Sequence, residues 1–145
     1  MKYKEIDHEE YKYQTTEDYR HKLSFNPQTK IEGAFYTLNE SGDLLIKKGY
    51  AWDGASGGMI DTESTMRAAL VHDVLYQMIR SCELDLMWKE PSDNEFRLIQ
   101  IEDAQWWNRW WITARAQYAY HALQIAGESS CVPGSQTKNE MRYDS

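Results

Sequence analysis

The stretch from Trp52 to Ile60, with glycines at 54, 57 and 58, divides the chain into halves of different periodicity, and no other feature constrains the fold as strongly. Glycine gives the backbone conformations that end regular structure. Before this stretch the apolar and β-favouring residues come in short runs between turn signals; after it they recur at helical spacing. Such a chain is expected to fold as α+β, with an antiparallel β portion in the N-terminal half packed against two main helices in the C-terminal half.

In the first half, Tyr11, Tyr13 and Thr15 alternate with polar residues, which predicts extended structure with edge-strand character from Tyr11 to Phe25. Asn26-Pro27 interrupts it. The segments 31–38 and 44–50 flank a polar connection containing Gly42 and read as a hairpin. In the second half a helix is predicted to begin near Asp61-Thr62-Glu63-Ser64, whose oxygen-bearing side chains suit a helix start, and to run to about Arg80. Residues 82–91 form a connection without a clear pattern. Ser92-Asp93-Asn94-Glu95 has the spacing of a capping box. A helical stretch from about Glu95 to Ala126 follows, interrupted once because an unbroken helix of that length is uncommon in a small domain. Gly127 is a natural stop. Residues 1–127 suffice for one core and are read as a single domain, with 128–145 a loose polar tail.

Lys and Arg number 16 against 23 Asp and Glu, a net charge of −7, which repels a phosphate backbone and argues against nucleic acid as a partner. The sequence has no apolar run long enough to cross a bilayer and none resembling a signal peptide at its start. Cys82 and Cys131 lack metal or redox spacing and are read as reduced thiols.

The residues with the most chemistry lie at the start of the second half. At about 100° per residue, Leu70, Val71, Val74, Leu75, Met78 and Ile79 form one apolar arc. His72 falls at its margin, with Tyr76 one turn on and the small Ala68 and Ala69 beside them leaving open space. His72 suits a general base, Asp73 an orienting or cation-binding carboxylate, and Tyr76 a supporting hydrogen bond. Adjacent helical positions diverge by about 100°, so His72 and Asp73 are not expected to bond each other directly. Asp53 and Ser56 of the glycine turn are the binding candidates. Asp53 facing Asp73 would make an all-oxygen site for calcium or magnesium. The plainer reading is that His72 is a hydrogen-bonded boundary residue and that Ser56 stabilises a turn.

These motifs resemble a family of phage and prophage proteins known as domain of unknown function 1353. The similarity rests on Gly49-Tyr50, Asp53, Ala55-Ser56 and Val71-His72-Asp73-Val74-Leu75-Tyr76, with Asp103 as the carboxylate of a later helix. It covers roughly Tyr11 to Gly127. Gly57-Gly58 replace the proline common after the serine. The resemblance implies a phage-type accessory protein, acting in the host cytoplasm or on the virion, and brings no activity with it. His72, Asp73 and Tyr76 are also similar in local layout to the His-Asp-x-x-Tyr helix of secreted phospholipases A2. In that family the His activates water, the Asp binds calcium and the Tyr supports the network. Ala68, Ala69 and Leu75 stand where that family has cysteines. Two functional classes follow: a hydrolase-like His/Asp pocket, or a non-enzymatic virion structural or host-interaction protein whose cluster ties loop to helix.

The chain has six Trp and ten Tyr against three Phe, and such side chains bury area while keeping a polar atom that needs a partner. Trp106 with Trp110 and Trp107 with Trp111 form two helical strips. Ala114, Tyr118 and Ile125 extend the second. The plainer reading is that these rings roof the sheet; a small domain has little room to bury both strips, however, and any aromatic surface left exposed is where a protein partner or a second copy is expected.

Overall fold

The computed structural model describes residues 1–54, 62–103 and 109–126, which fall in two compact units, one ending at Gly54 and the other containing the helices. Antiparallel strands occupy the N-terminal half and helices the C-terminal half, so the chain is α+β as its periodicity predicts.

The strands are β1 (Tyr3–Glu5), β2 (Tyr13–Thr15), β3 (Tyr19–Lys22), β4 (Ile31–Glu32), β5 (Tyr36–Leu38), β6 (Asp43–Ile46) and β7 (Ala51–Trp52). They form two sheets, ordered β1-β2-β7 and β3-β6-β5-β4. The predicted hairpin is present as β5 and β6, with Tyr36 opposite Ile46 and Leu38 opposite Leu44. Asn39 Oδ1 closes its turn by accepting from the backbone N–H of Ser41 at 3.1 Å and of Asp43 at 2.8 Å. Gly42 adopts φ +90°, which an L side chain rarely takes.

The segment 31–38 is not one strand. It reverses at Gly33, whose N–H bonds Tyr36 O at 2.8 Å, and β4 folds back on β5. Likewise the extended stretch 11–25 divides between the two sheets, β2 in one and β3 in the other. Strand β1, exposed along its length and with two of its three residues charged, has no apolar signal in the sequence.

Alternation sends Ile31, Tyr36, Leu38, Leu44 and Ile46 into the core of the second sheet. In the first sheet, Trp52 is fully buried, with the rings of Tyr3 and Tyr13 at 5.6 and 5.7 Å. Its indole Nε1 has no hydrogen-bond partner among the described residues, so this tryptophan anchors the core without the polar partner its type usually finds.

The helical unit contains α1 (Glu63–Arg80), α2 (Lys89–Glu102) and α3 (Arg109–Ala126), with a short 3-10 turn at Leu86–Trp88 before α2. Helix α1 starts as its sequence predicts: Thr62 caps the N–H of Thr65, and Thr65 Oγ1 accepts from Thr62 N at 2.7 Å. It ends in a Schellman turn. Glu83 N bonds Met78 O at 2.9 Å and Cys82 N bonds Ile79 O at 3.0 Å, with Cys82 left-handed at φ +58°.

The capping box predicted at Ser92 does not form. Helix α2 has already begun at Lys89, because Pro91 is compatible with a first turn, and Ser92 Oγ donates instead to Trp88 O at 2.7 Å. The long helical stretch is in two pieces, α2 and α3, and residues 104–108 between them lie outside the described residues, as does the predicted tail. Helix α2 packs against both α1 and α3. No helix among the described residues is long and apolar enough to cross a membrane.

Candidate functional site

Helix periodicity stacks His72 and Tyr76 one turn apart on α1, their ring centres 3.9 Å from each other. The same spacing on α2 stacks Lys89 and Asp93. Where the helices meet, Asp93 becomes the centre of a polar cluster. Its Oδ1 accepts from His72 Nε2 at 2.8 Å and from the Tyr76 hydroxyl at 2.6 Å; its Oδ2 accepts from Lys89 Nζ at 2.8 Å and from Gln124 Nε2 of α3 at 2.7 Å. Lys89 also donates to the Leu123 carbonyl at 3.3 Å, reaching the last turn of α3.

The Asp93 side chain is wholly buried. A carboxylate offers about four lone-pair sites, and here each oxygen takes two donors, so its accepting capacity is used. All three helices supply them. Burial pushes the Asp93 carboxyl up, but the hydrogen bonds from His72, Lys89 and Tyr76 outweigh burial and hold it below the usual carboxylate range. Burial likewise works against a charged His72, yet the carboxylates of Asp73 and Asp93 prevail and raise it above an ordinary histidine.

His72 itself is buried, with 6 % exposure, and Phe96 of α2 meets its ring edge-on at 5.6 Å. Ala68 and Ala69 are buried too. This corrects the expectation of an accessible histidine beside open space: α2 packs against α1, and Phe96 lies on the histidine ring. His72 Nδ1 lies 4.0 Å from Asp73 Oδ1, beyond hydrogen-bond reach, and the Asp73 side chain is 34 % exposed. Of the sequence candidates, the structure therefore joins His72 and Tyr76 through Asp93 and leaves Asp73 at the margin.

Asp53 sits just past β7, exposed, in the other unit. Ser56 lies outside the described residues. Among the described residues no group of three or more His, Cys, Asp or Glu is arranged to hold a metal ion. Asp103 caps the end of α2 and pairs with Arg67 of α1, Arg67 Nε donating at 3.0 Å and Nη2 at 2.5 Å, with Glu102 at 3.4 Å from the same Nη2. That carboxylate ties two helices and does not approach the histidine cluster; the α2 carboxylate that does is Asp93.

Sequence reasoning missed Asp93, Lys89 and Gln124. The opposite charges of Lys89 and Asp93 at i, i+4 are a usable signal, masked by the capping-box spacing of Ser92–Glu95, which points to a later helix start. Trp106 and Trp107 lie outside the described residues. On the strip they begin, Ala114 is exposed, as are Tyr118 at 72 % and Ile125 at 86 %. No family model, curated protein or solved structure matches this chain.

Proposed function

We propose that this chain is a phage-type accessory protein of the non-enzymatic kind, a structural or host-interaction protein in which the His–Asp cluster clasps three helices together. The supporting observation is the saturation of Asp93: donors from α1, α2 and α3 use both oxygens of a side chain that is itself wholly buried. A general base must offer an unprotonated nitrogen to its substrate near working pH. His72 is buried and its affinity for a proton is raised, which suits a fixed cationic donor better than a base. The phage assignment rests on the resemblance of the Asp53–Ser56 and Val71–Tyr76 motifs. The exposed Tyr118 and Ile125 on α3 are where a protein partner or second copy would dock.

One observation favours the hydrolase-like reading. His72 Nδ1, the ring nitrogen not bonded to Asp93, lies toward Asp73, which is partly exposed. In that arrangement Asp93 would orient His72, Tyr76 would support the network, and Asp73 would receive a proton or hold a cation. Asp73→Asn separates the two, because it removes the marginal carboxylate while leaving all four hydrogen bonds to Asp93 in place. The non-enzymatic reading expects the wild-type chain to leave ester, phosphodiester, amide and glycoside probes uncleaved and the variant to keep its fold. Turnover that disappears in Asp73→Asn with the fold intact establishes the hydrolase instead.

A further inference from the structure

The β unit has a feature separate from the helical cluster, a groove of about 440 Å³ on the sheet β3-β6-β5-β4. With the apolar residues of this sheet turned inward, the other face presents polar side chains along the groove. Strand register aligns Arg20, Leu45, Thr37 and Glu32 as one rung across all four strands. At a strand spacing of about 4.8 Å the rung is about 14 Å long.

Two of the groove's cations are already neutralised. Lys22 lies 3.2 Å from Asp43 and donates to the Ser41 carbonyl at 2.6 Å, and Lys30 lies 2.9 Å from Glu32. The Arg20 guanidinium, exposed beside Leu45, makes no ion pair or hydrogen bond among the described residues, and neither does the Thr37 hydroxyl. Three cations against two carboxylates leave one uncompensated positive charge, at Arg20.

We infer that this groove binds a small acidic sugar, its carboxylate on Arg20 and its ring along Leu45 toward Thr37. A guanidinium presents a planar fork that matches a carboxylate with two parallel hydrogen bonds. Leu45, half-buried, gives the apolar surface on which the C–H face of a pyranose rests, and Thr37 offers a hydroxyl that both donates and accepts. A single free cation suits one negative charge, whereas a dianionic phosphate calls for more than one.

Backbone amide shifts of the full chain, followed by NMR during titration with sodium glucuronate, test this. Saturable shifts are expected at Arg20, Thr37 and Leu45 with a Kd of about a millimolar, the affinity typical of a ligand of that size. Arg20→Gln should weaken binding by about tenfold or more, the effect of losing one charge-assisted contact, at an unchanged melting temperature because Arg20 supports nothing inside the fold. Glucose and inorganic phosphate should each bind at least several-fold more weakly. Absence of saturable shifts, full binding by Arg20→Gln, or phosphate or glucose binding as well as glucuronate overturns the inference.

Discussion

Asp93 accepts the Nε2 hydrogen of His72 at 2.8 Å, joining α2 to α1 across 21 residues of sequence. Neither group is stable alone where it sits. A buried carboxylate without donors and a buried imidazolium without a counter-charge each carry a desolvation penalty of several kcal/mol, by order of magnitude. Together, with Tyr76, Lys89 and Gln124, they satisfy one another, and the helices must be docked for that to happen.

Removing the centre of this cluster should therefore cost more than removing any one donor. Asp93→Ala leaves Lys89 and His72 facing an uncharged hole and is expected to lose about 3–5 kcal/mol in urea unfolding. Tyr76→Phe removes a single neutral donor to a charged acceptor and is expected to lose about 1.5–3 kcal/mol. An Asp93→Ala cost below that of Tyr76→Phe contradicts this ordering.

The cluster also sets a pH window. Asp93 is held below the ordinary carboxylate range, so its contribution is complete above about pH 4 and is lost as the pH falls through its lowered value. His72 is raised, so its contribution is complete below about pH 6.5 and is lost as the pH rises through its raised value. Stability should thus be greatest between about pH 4 and pH 6.5. Thermal melts of wild type and His72→Gln across pH 3 to 9 check the sign: the variant should lose the decline that begins above about pH 6.5 and show a smaller decline in acid, the part that Lys89 and Tyr76 still maintain.

Much of the architecture was legible because it is written in local chemistry. Thr62 among its oxygen-bearing neighbours announces the start of α1, the apolar arc from Leu70 to Ile79 its buried face, and the polar connection with Gly42 the hairpin turn. What was hidden depends on contacts between elements. Nothing near Ile31 says that β4 will fold back on β5 at Gly33, and nothing near Asp93 says that a residue 31 positions later will share its carboxylate. His72 and Tyr76 were recognisable as polar residues on one strip, but their burial comes from Phe96 and α2, which no spacing within α1 reveals.

Cys82 occupies the left-handed position of the Schellman turn at φ +58°, a conformation that costs an L side chain about 1 kcal/mol or more. Its side chain is exposed as a free thiol, so replacement loses little packing. Cys82→Gly is expected to stabilise the chain by about 0.5–1 kcal/mol in chemical denaturation. An unchanged or lower midpoint would show that the thiol contributes something the turn geometry does not account for.

Gly42 gives the opposite result. A Cβ there meets the Phe25 carbonyl oxygen at 2.5 Å, and the φ of +90° is unfavourable for any L side chain. Gly42→Ala should destabilise the hairpin by about 1–3 kcal/mol, read as a lower melting temperature. Retention of the wild-type melting temperature contradicts this reading of the turn.

The claim that Asp93 clasps three helices is tested most directly by native-state hydrogen exchange on wild type and Asp93→Asn at pH 6, following amides of α1 around His72, of α2 around Asp93 and of α3 around Gln124. The clasp predicts that protection falls in all three helices together and by a similar factor. Loss confined to α2, with α1 and α3 as protected as before, contradicts it.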